Sequence, residues 1–260
     1  MYQHLIFSVE EGVAIVRLNR PESMNALDLE LLKELADCLT RCVDDRGVRT
    51  VILAGEGRAF SAGGDVKSMS QAPSRPYLLR LLTLNLHTAI SAVWRMPKPV
   101  IAAVHGAAMG AGFALALSCD LVIAAEKTRF GTAYLSIGLT PDGGTTFFLP
   151  KMLGLHRAKY FAFTSEAIDA AAGQQLGFVH RVVKGEDLMA EARKIAGKFA
   201  SGPTLAIAKA KELLNSSFDQ SLETQMESER DAMGCVSMTA DLEEGLNAFL
   251  NKRSPGFKGE

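Results

Sequence analysis

Cysteine is scarce in this sequence. The chain has 260 residues and four cysteines, which are Cys38, Cys42, Cys119 and Cys235. None belongs to a CxxC pair, and four cysteines in a chain of this length do not form a disulfide framework. This pattern favours a reduced, cytoplasmic setting.

An excess of charge of one sign is also missing. Lys and Arg total 28, Asp and Glu total 29, and the formal net charge is −1. Neither nucleic acid nor an anionic membrane would attract such a molecule as a whole, and no predicted helix is rich in Lys and Arg. The sequence therefore predicts no nucleic-acid partner and no membrane association.

Residues 99–119 lack Asp, Glu, Lys and Arg, and this stretch is about as long as a membrane-spanning helix. However, His105 and three glycines interrupt it, and Ala is more frequent than Leu. We interpret it as a buried strand over 100–104, a glycine turn and a helix of small residues. Residues 1–10 contain charged side chains and no long apolar core, which is not typical of a signal peptide.

The periodicity of apolar residues divides the chain into two parts. Strands are predicted near 6–8 and over 13–18, 51–54, 100–104 and 121–124, and helices over 28–43, 74–94 and 110–117. This alternation favours an α/β layer architecture. From about residue 185 the pattern is helical only, and helices are predicted over 187–200, 203–215, 221–233 and 240–250.

Two segments of small residues each follow an apolar strand and lead into a helix. They are RAFSAGGDVK at 58–67 and HGAAMGAGF at 105–113. Small residues let a ligand approach the backbone, and the first N–H groups of a helix have no internal acceptor. Each segment alone also fits a tight turn or close helix–strand packing. Together they suggest an oxyanion hole with one N–H donor from each segment.

A third segment, 130–144, ends in Pro141-Asp142-Gly143-Gly144. Asp142 fits two interpretations. It is either the N-cap of a helix that runs towards Leu153, or a carboxylate held at the mouth of a pocket as a general base. The histidines of the chain lack metal-ligand spacing, so no metal site is predicted.

The three segments, in this order and spacing, resemble the crotonase superfamily, the enoyl-CoA hydratase/isomerase group. The resemblance covers nearly the whole chain. It is carried by NRP at 19–21, NAL at 25–27, FSAGGDVK at 60–67, PKPVIAAVHG at 97–106, SCDL at 118–121, FL at 249–250 and KRSPGFKG at 252–259. This set of motifs is highly specific for the fold and much less specific for the reaction.

The resemblance implies a spiral of ββα units with a C-terminal helical region that supports trimers, often paired into hexamers. We therefore predict a crotonase-like α/β core over 1–200, which holds the site, and a helical oligomerisation region over 201–260. The implied substrate is an acyl-CoA thioester. Coenzyme A is part of that substrate, and no separate cofactor is expected.

The resemblance also implies positions for the site residues. The oxyanion hole would consist of the N–H groups of Gly64 and Ala111. Coenzyme A would run along the loop from Ala62 to Lys67, with Lys67 and Arg20 near its phosphates, because phosphate binding needs local cations. The substrate-binding residues expected in this way are Arg20, Ala26, Ala62, Gly64, Asp65, Val66, Lys67 and Tyr134. Met69, Leu78, Leu82 and Leu86 are candidates for the wall of the acyl pocket, and helical core spacing explains them equally well.

The sequence departs from the family pattern at two positions. Hydratases of this family carry one glutamate in the helix after the second oxyanion loop and another in the following segment. The corresponding residues here are Ala114 and Tyr134, and neither can serve as a carboxylate base. Hydration needs one group to activate water and one to protonate the α-carbon, so these replacements argue against an efficient hydratase.

Asp142 matches the position at which several other members of the family place a catalytic aspartate. One base beside an oxyanion hole suffices for double-bond migration, so the leading hypothesis is an acyl-CoA double-bond isomerase that uses Asp142. The first alternative is an enoyl-CoA hydratase, a lyase of fatty-acid or aromatic-acid degradation. Further alternatives are an acyl-CoA hydrolase or dehalogenase, and a non-catalytic acyl-CoA-binding or RNA-associated protein.

Overall fold

The computed structural model describes residues 2–260. Its strands are β1 Leu5–Glu10, β2 Val13–Leu18, β3 Thr50–Gly55, β4 Val100–Val104, β5 Ala107–Met109, β6 Leu121–Ala125, β7 Arg129–Gly131, β8 Ile168–Asp169 and β9 Arg181–Val183. Its helices are α1 Leu29–Asp44, α2 Val66–Gln71, α3 Arg75–Arg95, α4 Ala111–Ser118, α5 Thr145–Leu153, α6 Leu155–Thr164, α7 Ala170–Leu176, α8 Leu188–Ala200, α9 Thr204–Ser216, α10 Leu222–Val236 and α11 Ala240–Leu250. Every strand and helix predicted from periodicity overlaps one of these elements.

Six strands form the main sheet, in the order β1-β2-β3-β4-β6-β9. The hairpin β1–β2 is antiparallel, and the remaining neighbours are parallel. Parallel neighbours need crossover connections, which here contain the helices between the strands. The predicted α/β architecture is confirmed.

Strands β3, β4 and β6 are covered on both faces of the main sheet, which explains why they are continuous apolar runs. In β3, Val51 and Leu53 face a core shared with α1, α3 and α4. The alternating residues Ile52 and Ala54 face a second core under α8. All four side chains are buried.

A smaller sheet, in the order β5-β7-β8, positions the second glycine-rich segment. Strand β5 pairs in parallel with β7, and Gly110 then connects β5 to the first residue of α4. The start of α4 is therefore fixed by strand pairing on its N-terminal side.

Helix α9 is attached to the sheet by a buried ion pair. The Lys211 ammonium donates to the Asp120 carboxylate at 2.8 Å and to the Val93 carbonyl at 2.8 Å. Asp120 in turn accepts from the Val100 N–H at 2.7 Å, at the start of β4.

The use of α9, α10 and α11 for oligomerisation stays a prediction.

Candidate active site

The two glycine-rich segments lie side by side and are joined by backbone hydrogen bonds. The Ser61 N–H donates to the Ala107 carbonyl at 3.0 Å, and the Met109 N–H donates to the Ser61 carbonyl at 3.0 Å. Gly63 has a φ of +94°, and a Cβ at this residue would lie 2.6 Å from the Met109 carbonyl oxygen. Only glycine permits this approach, because any side chain would push the segments apart.

Gly64 and Ala111 are brought together at one cavity. Ala111 is the first residue of α4, so its N–H has no acceptor within the helix. Within residues 2–260, neither the Ala111 N–H nor the Gly64 N–H makes a hydrogen bond. Two free donors that face the same space are what an oxyanion hole requires.

The cavity has a volume of about 470 Å³ and mostly apolar walls. Helix α3 contributes Leu82 and Leu86, as expected, and α2 contributes Met69. Leu78 does not line the cavity and packs against the main core instead. The other lining residues are Leu27, Leu32, Ala62, Gly63, Val66, Leu79, Thr83, Gly110, Ala133, Tyr134, Ser136, Ile137, Leu139, Thr140 and Asp142.

Asp142 lies on this cavity and does not cap a helix. The N-cap of α5 is Gly144, with no side-chain hydrogen bond, so the N-cap interpretation of Asp142 is wrong. The Asp142 carbonyl accepts from the Thr145 N–H at 3.0 Å and from the Thr145 hydroxyl at 2.7 Å. Its carboxylate atom Oδ1 is buried and has no hydrogen-bond partner among the described residues. A buried acceptor without a hydrogen-bond partner costs free energy. Such an acceptor is typical of a group that binds a ligand.

Tyr134 is a neighbour of Asp142 in the cavity wall. The phenol is buried, and its hydroxyl lies 3.5 Å from the Asp142 carbonyl oxygen. Burial, followed by the negative charge of Asp142, raises the pKa of Tyr134 far above its usual range, so the phenol keeps its proton. Tyr134 is thus a donor and no base.

Ala114 is fully buried in α4, under the loop that carries Asp142. A Cβ at Gly143 would lie 2.9 Å from the Ala114 Cβ, 3.0 Å from Ile90 and 3.2 Å from Leu86. Gly143 has a φ of +57°, which also favours glycine. The space beside Ala114 is therefore already filled by the chain.

Arg20 is held by two carboxylates. Its guanidinium forms ion pairs with Asp28 and Asp65, each at 3.1 Å, and donates to the Ala26 carbonyl. Asp28 also caps α1 by accepting from the Leu31 N–H. Arg20 therefore joins the start of α1 to the first glycine-rich segment, and its contact with a phosphate stays a prediction.

The remaining candidates for coenzyme A binding lie on or near the cavity. Ala62 and Val66 line it, whereas Ala26 lies beside it and Asp65 is engaged by Arg20 and by the Ser68 N–H at 3.0 Å. Lys67 is exposed, and within residues 2–260 it forms no ion pair. Lys67 is thus the cation of this set that is available to a phosphate.

Several cavity residues carry no signal that sequence reasoning could have used. Ser136 and Ile137 lie in a short 3-10 helix over 135–137, and Leu139 and Thr140 lie in the loop that follows it. All four belong to the 130–144 segment, but three helical residues are too few to show a period, so the sequence does not indicate which of these side chains face the cavity. Within the described residues, no group of three His, Cys, Asp or Glu side chains is placed to hold a metal ion. None of the helices in 2–260 is both long and apolar enough to cross a membrane.

The chain is similar to known proteins over nearly its whole length. A family model described as enoyl-CoA hydratase/isomerase matches residues 8–260. The 1,2-epoxyphenylacetyl-CoA isomerase of Escherichia coli is 37% identical and covers 100% of both chains. The crotonyl-CoA hydratase of Syntrophomonas wolfei is also 37% identical and covers 98% of both.

Solved structures also resemble this chain in fold and in sequence. The enoyl-CoA hydratase of Bacillus anthracis has a TM-score of 0.94 and 36% identity, and the match covers 99% of this chain and 100% of that one. The enoyl-CoA hydratase of Geobacillus kaustophilus has a TM-score of 0.92 and 36% identity, and the match covers 100% and 99% of the two chains. The crotonase-like fold expected from the motifs is confirmed. The chain belongs to the enoyl-CoA hydratase/isomerase family, whose members act on acyl-CoA thioesters.

Proposed function

We propose that this protein is an acyl-CoA double-bond isomerase in which Asp142 is the base. One observation carries the proposal: the Asp142 carboxylate lies on the cavity of Gly64 and Ala111 with a buried oxygen that has no partner. Among the described residues, it is the only carboxylate that lines this cavity. Any proton removed from a bound substrate by a carboxylate must therefore go to Asp142.

The chemistry follows from these three groups. The thioester oxygen accepts from the N–H groups of Gly64 and Ala111, which stabilise the negative charge that develops on it. Asp142 takes a proton from C2 of a 3-enoyl thioester, and the electrons of the broken C–H bond delocalise into a dienolate. The same carboxyl group then returns the proton at C4, which leaves the double bond between C2 and C3. One base serves both steps, and no water is consumed.

Hydratase activity is the main competing assignment, because relatives of equal identity are named as isomerase and as hydratase. Two features disfavour it. The cavity offers no second carboxylate to activate water, and Tyr134 keeps its proton. A hydrolase or dehalogenase would use Asp142 or water to attack carbon, and a non-catalytic binder would turn over no thioester.

Binding of the coenzyme A portion and self-association complete the proposal. Lys67 supports the first, as an exposed cation beside the cavity. A homotrimer or hexamer is supported by large apolar side chains exposed on α10 and α11, among them Leu222, Met233, Leu246, Phe249 and Leu250. Exposed apolar side chains grouped in this way are typical of interfaces between subunits. Light scattering coupled to gel filtration measures the mass, and a monomer would contradict this part.

Turnover of paired 3-enoyl-CoA and 2-enoyl-CoA substrates tests the assignment. We expect wild type to interconvert the alkenes without forming 3-hydroxyacyl-CoA. Asp142→Asn should lower the rate by about 10²–10⁴, the usual worth of a positioned base. Asp44→Asn is the matched control, because Asp44 is exposed at the end of α1. Rapid hydration that survives Asp142→Asn would overturn the proposal, and binding without turnover of any thioester would favour a non-catalytic protein.

A further inference from the structure

Acid–base chemistry in this cavity is limited to two side chains. Asp142 and Tyr134 are the only titratable groups that line it within residues 2–260. The walls from α3 are Leu79, Leu82, Thr83 and Leu86, the wall from α4 is Ala111, and the walls from α2 are Val66 and Met69. No charge on these helices lines the cavity beside the pair, so Tyr134 is the one titratable neighbour of Asp142 in the cavity wall within residues 2–260.

One donor and one acceptor beside the cavity lack a strong hydrogen bond within residues 2–260: the Tyr134 hydroxyl and Oδ1 of Asp142. A carbonyl oxygen has two lone pairs, and that of Asp142 already accepts twice from Thr145, at 2.7 Å and 3.0 Å. The Tyr134 hydroxyl is a third donor to the same oxygen, at 3.5 Å, which is the outer limit of a hydrogen bond. The phenol proton is therefore weakly engaged, while Oδ1 of the same aspartate has no donor within residues 2–260.

The phenol ring of Tyr134 lies beside the start of α4. A Cβ built on Gly110 would lie 3.9 Å from Cε1 and Cζ of Tyr134, so the ring packs over the residue that precedes Ala111. The phenol thus lies between the start of α4 and the loop of Asp142. Its hydroxyl is 3.5 Å from the Asp142 carbonyl oxygen, which places it beside the side chain of the same residue.

We infer that Tyr134 is a positioning residue whose phenol donates a hydrogen bond to the Asp142 carboxylate and holds it facing the Gly64 and Ala111 donors. This inference rests on the proposed function, since it takes Asp142 as the base. A charged acceptor strengthens a hydrogen bond, so the phenol gains more from the carboxylate than from the shared carbonyl. The phenol itself gives up no proton, because burial and the charge of Asp142 raise the pKa of Tyr134.

A purely apolar role for Tyr134 makes a different prediction. If the ring only walls the cavity, Tyr134→Phe keeps the wall and should leave kcat unchanged. If the phenol positions the base, the same variant should lower kcat by about tenfold or more, the worth of one hydrogen bond to a charged group. KM should change little, because the apolar surface offered to the acyl group is kept. Tyr160→Phe is the matched control, since Tyr160 is exposed on α6 and bonds to Glu166.

A second experiment does not depend on turnover. With ¹³Cζ-labelled tyrosine, the Tyr134 resonance is identified by its loss in Tyr134→Phe and followed from acid to neutral pH. We expect it to move as the partner carboxylate ionises in wild type and to stay constant in Asp142→Asn. The Tyr160 resonance should respond to Glu166 in both proteins and thereby verifies the method.

The outcomes separate the two ideas. A Tyr134 resonance that is independent of pH in wild type overturns the inference, even if Asp142→Asn is inactive. A second outcome is that the Tyr134 resonance depends on Asp142 but turnover survives Asp142→Asn. This outcome would overturn the proposed function and would leave the inferred hydrogen bond in place. An unaltered kcat in Tyr134→Phe also overturns the inference.

Discussion

Ala114 and Gly143 are packed so closely that a Cβ at position 143 would lie 2.9 Å from the Ala114 methyl group. A glutamate at position 114, as in family hydratases, would have to enter the space that the loop of Asp142 occupies. Side-chain atoms of Leu86 and Ile90 also lie within 3.2 Å of the same Cβ position. The two arrangements compete for one volume, so the missing glutamate reflects packing as well as chemistry.

The first prediction is that Ala114→Glu creates no hydratase. Burial of a charge without a partner is costly, and the longer side chain displaces the loop of Asp142. We expect a lower melting temperature and loss of isomerase turnover, with no 3-hydroxyacyl-CoA. Ala114→Ser is the control for a small polar substitution. A stable Ala114→Glu protein that hydrates 2-enoyl-CoA rapidly would show that the loop yields to the side chain.

The second prediction concerns the oxyanion donor on α4. Ala111→Pro removes an N–H that makes no hydrogen bond within residues 2–260, and proline is tolerated in the first position of a helix. The rate should fall by about 10²–10³. Ala240→Pro, at the same position of α11, is the matched control and should keep full activity. Retention of wild-type kcat by a folded Ala111→Pro enzyme would exclude Ala111 as a donor.

The sequence was most informative where one local pattern determines the structure. Strands β3, β4 and β6 are buried on both faces, so their apolar runs are visible in the sequence. Strands β5, β7, β8 and β9 have only two or three residues. Their pairing depends on partners that are distant in the chain, and no local period predicts them.

The same distinction applies to the site. Asp142 could be identified because proline and two glycines flank it in a segment with family resemblance. Arg20 was expected near phosphates from the family resemblance, because phosphate binding needs local cations. Its ion pair with Asp65 could not be predicted, since Asp65 is 45 residues away and is brought near only by the fold. The weakly engaged hydroxyl of Tyr134 and the unpartnered Oδ1 of Asp142 likewise could not be predicted, because they depend on three-dimensional geometry.

A third prediction follows for the coenzyme A phosphates. Lys67→Ala should raise KM for an acyl-CoA several-fold, because an exposed charge contributes about 1 kcal/mol or less. KM for the matching acyl-pantetheine, which lacks the nucleotide phosphates, should stay the same. The effect should shrink at high salt. Lys127→Ala, an exposed lysine elsewhere, is the control, and equal losses with both substrates would place Lys67 away from the phosphates.

A fourth prediction concerns pH and the C-terminal segment. Glu244 accepts from Arg253 and from the Gly256 N–H, which lowers its pKa from 4.5 to about 2. Because the folded-state pKa is the lower one, the stabilisation is complete above pH 4.5 and is lost as the pH falls towards 2. The melting temperature of Glu244→Gln should therefore be below that of wild type at pH 6, and the gap should narrow at pH 3. Glu243→Gln should show no such trend, and a gap that is independent of pH would contradict the role of Glu244.

The last prediction concerns the ion pair that attaches α9 to the sheet. Lys211→Met leaves the Asp120 carboxylate buried with the Val100 N–H as its remaining donor, and loss of one partner of a buried pair costs about 3–5 kcal/mol. In the double variant Asp120→Asn/Lys211→Met no charge is left without a partner, and the Asn oxygen can still accept from Val100. The double variant should therefore lose less free energy of unfolding in urea than Lys211→Met alone. If both lose the same amount, the cost comes from the Lys211 contacts with backbone carbonyls rather than from the unpaired carboxylate.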